Sequence, residues 1–185
     1  GLDIPAVVNF LKLSNLPIIK GRINSITANL TGKLGPDLIK TTSGNAQMMV
    51  LNTVIEGINI GGEVLRKVDS IPFMQGSLLS LVPQQFHPYF TSKDTEVSEL
   101  SSSMILNNGN ASITNLKLVS KGFYLTGKGN MNLPSKAIDL TADIFFEPEL
   151  STAIVGKVKE LKSILDINGS LVIPLKIEGS NGSYI

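Results

Sequence analysis

With 185 residues, the chain is long enough to bury a substantial core as one domain or as two related halves. Its net charge of +1, from 16 Lys and Arg scattered among 15 Asp and Glu, supplies no field that would gather phosphate backbones, so nucleic acid is not an expected partner. Zero Cys excludes a disulfide framework, a thiolate nucleophile and any Cys-based zinc site, and a lone His argues against a histidine-rich one, so no metal and no cofactor is expected.

The N-terminal run Asp3-Ile-Pro-Ala-Val-Val-Asn-Phe-Leu-Lys-Leu places Ile4, Val7, Val8 and Leu11 at helical spacing. No basic segment precedes it, and no apolar run in the chain reaches the roughly 18 residues of a membrane span, so no transmembrane segment is expected in this stretch. From Pro17 to Thr31, apolar residues change parity between Ile23 and Ile26, which predicts a bulge or twist within a long strand. The next strand, around Gly44 to Ile60, is apolar on both parities from Met48 to Leu51, as for a strand covered on both faces. Asn59 then stands where it can cap a helix carrying Ile60, Val64, Val68 and Ile71.

Pro72 to Lys93, rich in Pro and aromatics, reads as a connection with a helical turn or two. From Glu96 the pattern becomes a meander, its strands separated by the turn signals Asn107-Asn-Gly-Asn, Ser120-Lys-Gly and Leu133-Pro-Ser-Lys. Phe123, Leu125, Gly127, Gly129 and Met131 share one parity, and Ile138, Leu140, Ala142, Ile144 and Phe146 repeat it, which requires one dry and one wet face. Pro148 opens an apolar stripe of Leu150, Ile154, Val158, Leu161 and Leu165, with Lys157, Lys159 and Lys162 toward its end: a terminal helix that docks on the sheet or acts as a lid.

A weak internal repeat runs through the chain. Leu30-Thr-Gly-Lys recurs at Leu125, Gly61-Gly-Glu-Val-Leu-Arg-Lys-Val resembles Val155 to Leu161, and Gly76-Ser-Leu-Leu-Ser-Leu-Val-Pro resembles Gly169 to Pro174. The reading is a single domain over 1–185, divisible into halves at about 1–93 and 94–185. The expected fold is α+β and β-rich, a twisted, largely antiparallel sheet with a few amphipathic helices packed on or capping one face.

Catalytic constellations are missing from the pattern. His87 stands between Phe86 and Pro88 with no triad or ligand partner in sequence, and reads as a half-exposed packing residue. Asp139 and Asp143 occupy the wet face of a strand, followed by Glu147 and Glu149, and read as solvated charge. Gly127 and Gly129 lack the following helix of a dinucleotide fingerprint and the spacing of a phosphate loop, and read as places where a strand bends or another backbone comes close. The chain is not expected to be an enzyme.

The C-terminal stretch Phe146-Glu-Pro-Glu-Leu-Ser through Gly169-Ser-Leu-Val-Ile-Pro to Gly179 resembles the C-terminal module of the AsmA-like bacterial envelope proteins, relatives of TamB. The strands from Val97 to Phe146, and Gly44 to Val68 with its Glu56-Gly-Ile-Asn element before a helix, are similar to that family's pattern as well. The usual N-terminal membrane helix and longer β-rich body are outside the resemblance. It implies a non-enzymatic module of outer-membrane biogenesis and lipid transport, in the periplasm of a Gram-negative bacterium, the full-length protein anchored in the inner membrane. The implied partners are lipid acyl chains or other envelope proteins; a scaffold domain without lipid binding is the alternative. A curled sheet with a continuous dry face must cover it with helices, sheet or ligand. The candidate lining is Leu116, Leu118, Phe123, Leu125, Met131, Leu140, Ile144 and Phe146, with Leu150, Ile154, Val158, Leu161 and Leu165 as the lid.

Overall fold

The alternating segments become strands of one antiparallel sheet in a computed structural model, described over residues 2–3, 19–70, 77–180 and 183–184. The strands are β1 (Leu2–Asp3), β2 (Ile19–Lys20), β3 (Arg22–Thr31), β4 (Ser43–Ile55), β5 (Thr95–Asn107), β6 (Asn110–Ser120), β7 (Phe123–Asn132), β8 (Ala137–Phe146), β9 (Val172–Ser180) and β10 (Ser183–Tyr184). Their order follows the chain, except that β2 pairs with the end of β4. Helices α1 (Leu38–Thr41), α2 (Ile60–Asp69), α3 (His87–Thr91) and α4 (Pro148–Val155), with 3-10 turns at Leu78–Leu81 and Lys159–Ile164, complete an α+β, β-rich fold. The expected helix over Ile4 to Leu11, the position of Ile71 and the start of the Pro72 to Lys93 connection lie outside the described residues.

Both helical excursions leave and rejoin the sheet at one end. β4 and β5 pair directly through Ile55 and Thr95 although α2 and α3 lie between them in sequence, and β8 and β9 pair through Phe145 and Val172 across α4. The connections β3–β4, β5–β6 and β7–β8 therefore fall at the opposite end. One register row crosses the sheet at the helical end: Ile23, Val50, Leu100, Leu118, Leu125, Ile144 and Ile173 are successive partners, all buried. Val64, Leu65 and Val68 of α2, Phe86 and Phe90 around α3, and Leu150 and Ile154 of α4 close over it in one cluster. Each such side chain contributes about 1.5–3 kcal/mol on burial, so the row and its cover dominate stability. Phe90, Phe123 and Phe146 meet at its centre, with ring centroids 6.1, 5.9 and 6.4 Å apart.

Local sequence explains the cover. The Asn59 side-chain oxygen accepts from Gly62 N at 2.7 Å, the cap the sequence predicts, while its Nδ2 donates to the carbonyls of Tyr89 at 2.8 Å and Ser92 at 2.9 Å. One buried amide thus starts α2 and ties down the end of α3. Glu147, expected as a solvated carboxylate, instead accepts from Gly122 N at 2.9 Å and donates its own N–H to Gly122 O, joining the start of α4 to the start of β7.

Two expectations need correction. The stripe from Leu150 to Leu165 is not one helix: α4 ends at Val155, Val158 has φ −122° and ψ 85°, and Lys159–Ile164 forms a separate 3-10 turn. Gly156 is a poor helix former. The break lets the chain turn so that Leu161 is buried as well. The Met48–Leu51 segment is not covered on both faces, since Met49 and Leu51 are each 38% exposed. Instead, Asn52 takes a left-handed backbone (φ 50°), and the buried positions change phase from Val50 to Thr53 and Ile55. The expected irregularity in β3 is present, its register shifting between Ile23 and Ser25. Of the matching words, Gly61–Val68 lies in α2, while Leu78–Leu81 is a 3-10 turn and Val172–Pro174 begins a strand.

Candidate functional site

Away from the helices the dry face continues. The next register rows run through Ile26, Met48, Ser102, Leu116, Gly127, Ala142 and Leu175, then through Ala28, Ala46, Met104, Ile113, Gly129, Leu140 and Ile177. Strict alternation would turn Ile113 to the other face from Leu116. An extra residue at Thr114 shifts the register on both sides of β6 and brings the two onto one face. Opposite them the sheet has no room for side chains: a Cβ on Gly127 would lie 2.9 Å from the Ala142 Cβ, and one on Gly129 2.2 Å from the Asp139 carbonyl oxygen. These glycines are places of close backbone approach, as the sequence suggests.

The candidate lining divides by depth. Leu118, Phe123, Leu125, Ile144 and Phe146 belong to the main core beneath the helices, and so do Leu150, Ile154 and Leu161 of the suggested lid, with Val158 and Leu165 half-buried against it. Leu116 and Met131 are half-buried farther along the face, and Leu140 is buried outside the main cluster together with Leu106 and Ala111.

At the hairpin end the face terminates in an apolar pocket of about 370 Å³ lined by Leu30, Thr31, Gly32, Leu34, Leu38, Ile39, Thr42, Leu106 and Leu133. Its frame is laced by backbone bonds between hairpin ends: Gly109 N donates to Thr42 O at 3.1 Å, and Leu133 N donates to Gly109 O at 2.9 Å. Gly109, at φ 77° with no space for a Cβ beside the Ile39 carbonyl oxygen 2.8 Å away, lets these tips meet. On the other side α1 is held in a single turn by Thr41 and Thr42, whose hydroxyls donate to the Asp37 and Leu38 carbonyls, while Lys33 N donates to Thr41 Oγ1. Leu34, 94% exposed, stands at the rim.

The sequence reading passes over this pocket. Its signal is the apolar set Leu34, Leu38 and Ile39 inside the Gly- and Pro-containing connection from Gly32 to Thr42, where a plain hairpin turn would be polar.

Among the described residues, no ionisable group lines the pocket. The displaced pKa values of the described residues lie elsewhere, at exposed sites. A hydrogen bond from Ser170 N, supported by Asn168, holds Asp166 below the usual carboxylate range, and hydrogen bonds to Glu56 and Glu178 raise Lys20 and Lys176. Asp139 and Asp143 are exposed, His87 is exposed at the start of α3, and Glu149 accepts from Gln85. Among the described residues, no group of three or more His, Asp or Glu side chains is placed to hold a metal ion, and no helix is long and apolar enough to cross a membrane. Comparison with known proteins gives no match: no family model, curated protein or solved structure is significantly similar to this chain.

Proposed function

We propose that the chain is a non-enzymatic module that binds lipid acyl chains, acting in the periplasm as part of an inner-membrane-anchored protein of the AsmA-like kind in outer-membrane assembly and lipid transport. The observation that carries the reading is the uncharged pocket of about 370 Å³ between Leu30, Leu38, Ile39, Leu106 and Leu133, placed where the dry face of the sheet ends. Its size falls in the range of small-ligand sites, and its lining is mostly hydrocarbon, the hydroxyls of Thr31 and Thr42 already donating to the Ser43 and Leu38 carbonyls. Each buried methylene contributes about 0.8 kcal/mol, so about ten methylenes give about 8 kcal/mol, comparable with the freedom lost on binding. Affinity then depends on tail length rather than on headgroup.

The test is a series of saturated fatty acids of increasing length, titrated by displacement of a fluorescent acyl probe. Affinity should tighten by about fourfold per methylene until the pocket is full. Leu106→Asp and Leu38→Asp should abolish uptake. No probe uptake by the wild-type chain, together with no lipid carried through purification in native mass spectrometry, refutes the reading.

A further inference from the structure

Polar groups inside a fold are paired, and an exception calls for a reason. Among the buried hydroxyls, Thr95 donates to Ile58 O at 2.7 Å, Ser120 to Glu96 O at 2.7 Å and Ser151 to Phe146 O at 3.1 Å, while Thr53 donates to Lys20 O. Ser102 is only 8% exposed, yet among the described residues its side chain has no hydrogen-bond partner. Ser170 shares that property but belongs to the turn held by Asp166. An alanine at 102 would fill the same place in β5 without burying a hydroxyl, so the fold itself gains nothing from serine here.

The hydroxyl is aimed at the dry face. Along β5, Leu100, Ser102, Met104 and Leu106 share that face: Leu100 lies beneath the helices and Leu106 lines the apolar pocket. Ser102 stands between them, with Met48 and Leu116 as its cross-strand neighbours. Gly127 and Ala142 continue its row and Ala46 and Gly129 lie in the next, which keeps the relief low between the pocket and the helical core. Ser102 is the only polar side chain in these two rows. Four residues of strand separate it from Leu106, about 14 Å at about 3.4 Å per residue.

We propose that Ser102 is a ligand-binding residue whose hydroxyl pairs with a neutral oxygen on an acyl chain, the tail of which occupies the pocket. The inference rests on the acyl-chain reading above and specifies the chemistry of the chain. A serine hydroxyl donates to an ester carbonyl, and it either donates to or accepts from a hydroxyl. A carboxylate is the wrong partner, because it would be buried beside Met48 and Leu116 with no opposite charge. Since the oxygen has to lie about 14 Å from the part of the chain held at Leu106, its position along the chain is selected.

The test applies the displacement assay to the wild-type chain and to Ser102→Ala with two ligand series. One is a saturated fatty acid of fixed length carrying a single hydroxyl at successive carbons; the other is monoacylglycerols of increasing length. In the wild type, one hydroxyl position or one ester chain length should bind about fivefold tighter than it does to Ser102→Ala, the worth of one neutral hydrogen bond. The unsubstituted acid should bind both proteins alike. The thermal midpoint of Ser102→Ala should not fall, because the hydroxyl has no partner in the fold to lose. A preference in the first series identifies a chain hydroxyl and one in the second an ester carbonyl, and either supports the proposal. Displacement with no preferred member in either series, a preference that survives Ser102→Ala, or a midpoint lowered by several degrees would overturn it while leaving the acyl-chain reading in place. No displacement by any chain removes both.

Discussion

Gly61 shows how competing magnitudes settle a single position. Gly61 is the second residue of α2, and Ala outranks Gly within helices by up to about 1 kcal/mol, so propensity alone predicts that Gly61→Ala stabilises α2. A Cβ there would lie 2.8 Å from the Phe90 Cε1 and 2.9 Å from the Phe123 Cε1, inside the aromatic cluster. Overpacking of this kind costs about 1–3 kcal/mol and offsets or outweighs the propensity, so Gly61→Ala should lower stability in urea unfolding by up to about 2 kcal/mol and should not raise it. Asn59 makes a different case, since its amide works in both directions. Asn59→Ala should cost about 2–4 kcal/mol, from a lost cap and two stranded carbonyls. Asn59→Asp keeps the acceptor for Gly62 but loses both donations, so a loss comparable with that of Ala is expected rather than rescue. Asp166 gives a pH signature: its folded pKa is depressed, so its contribution is complete above the unfolded carboxylate pKa of about 3.9 and is lost as pH falls through the folded value. In Asp166→Asn this acid-side decline should be weaker, as read from thermal midpoints between pH 5 and 2.

Among the elements, α4 carries the clearest decision between lid and core. Leu150 and Ile154 have no exposed surface, and buried Ser151 accepts from Leu171 N at 2.8 Å while donating to Phe146 O at 3.1 Å. A lid swings on few contacts, whereas this helix is bonded to the end of β8 and to the residue preceding β9. Leu150→Ala and Ile154→Ala should each cost about 2–5 kcal/mol by chemical denaturation, as core truncations do. Ser151→Ala should cost about 1–3 kcal/mol, because it leaves the Leu171 N–H buried without a partner. The stripe that identifies α4 was legible because buried positions recur at helical spacing. Its interruption was not, since the phase of Leu161 is set by the chain's turn after Gly156 and by the core that receives it.

Across the whole molecule, the register row from Ile23 to Ile173 runs through strands of both sequence halves, and the helices of both halves cover it. Unfolding should therefore be a single cooperative transition, with calorimetric and van't Hoff enthalpies in agreement. Fragments 1–93 and 94–185 should each lack cooperative melting alone, since either cut exposes the row along β4 or β5. Strand alternation, the turn signals at Asn108, Gly122 and Lys136 and the cap at Asn59 were determined by sequence, because each depends on neighbours a few residues away. The aromatic cluster was decided by tertiary structure alone, and so was the closing of the pocket, whose Leu30 to Thr42 side is local in sequence but whose Leu106 and Leu133 come from distant hairpins. Whether an apolar strand residue becomes core or rim depends on which end of the sheet the helices return to. That return is a matter of β4 pairing with β5 and β8 with β9, a long-range choice that no local periodicity records.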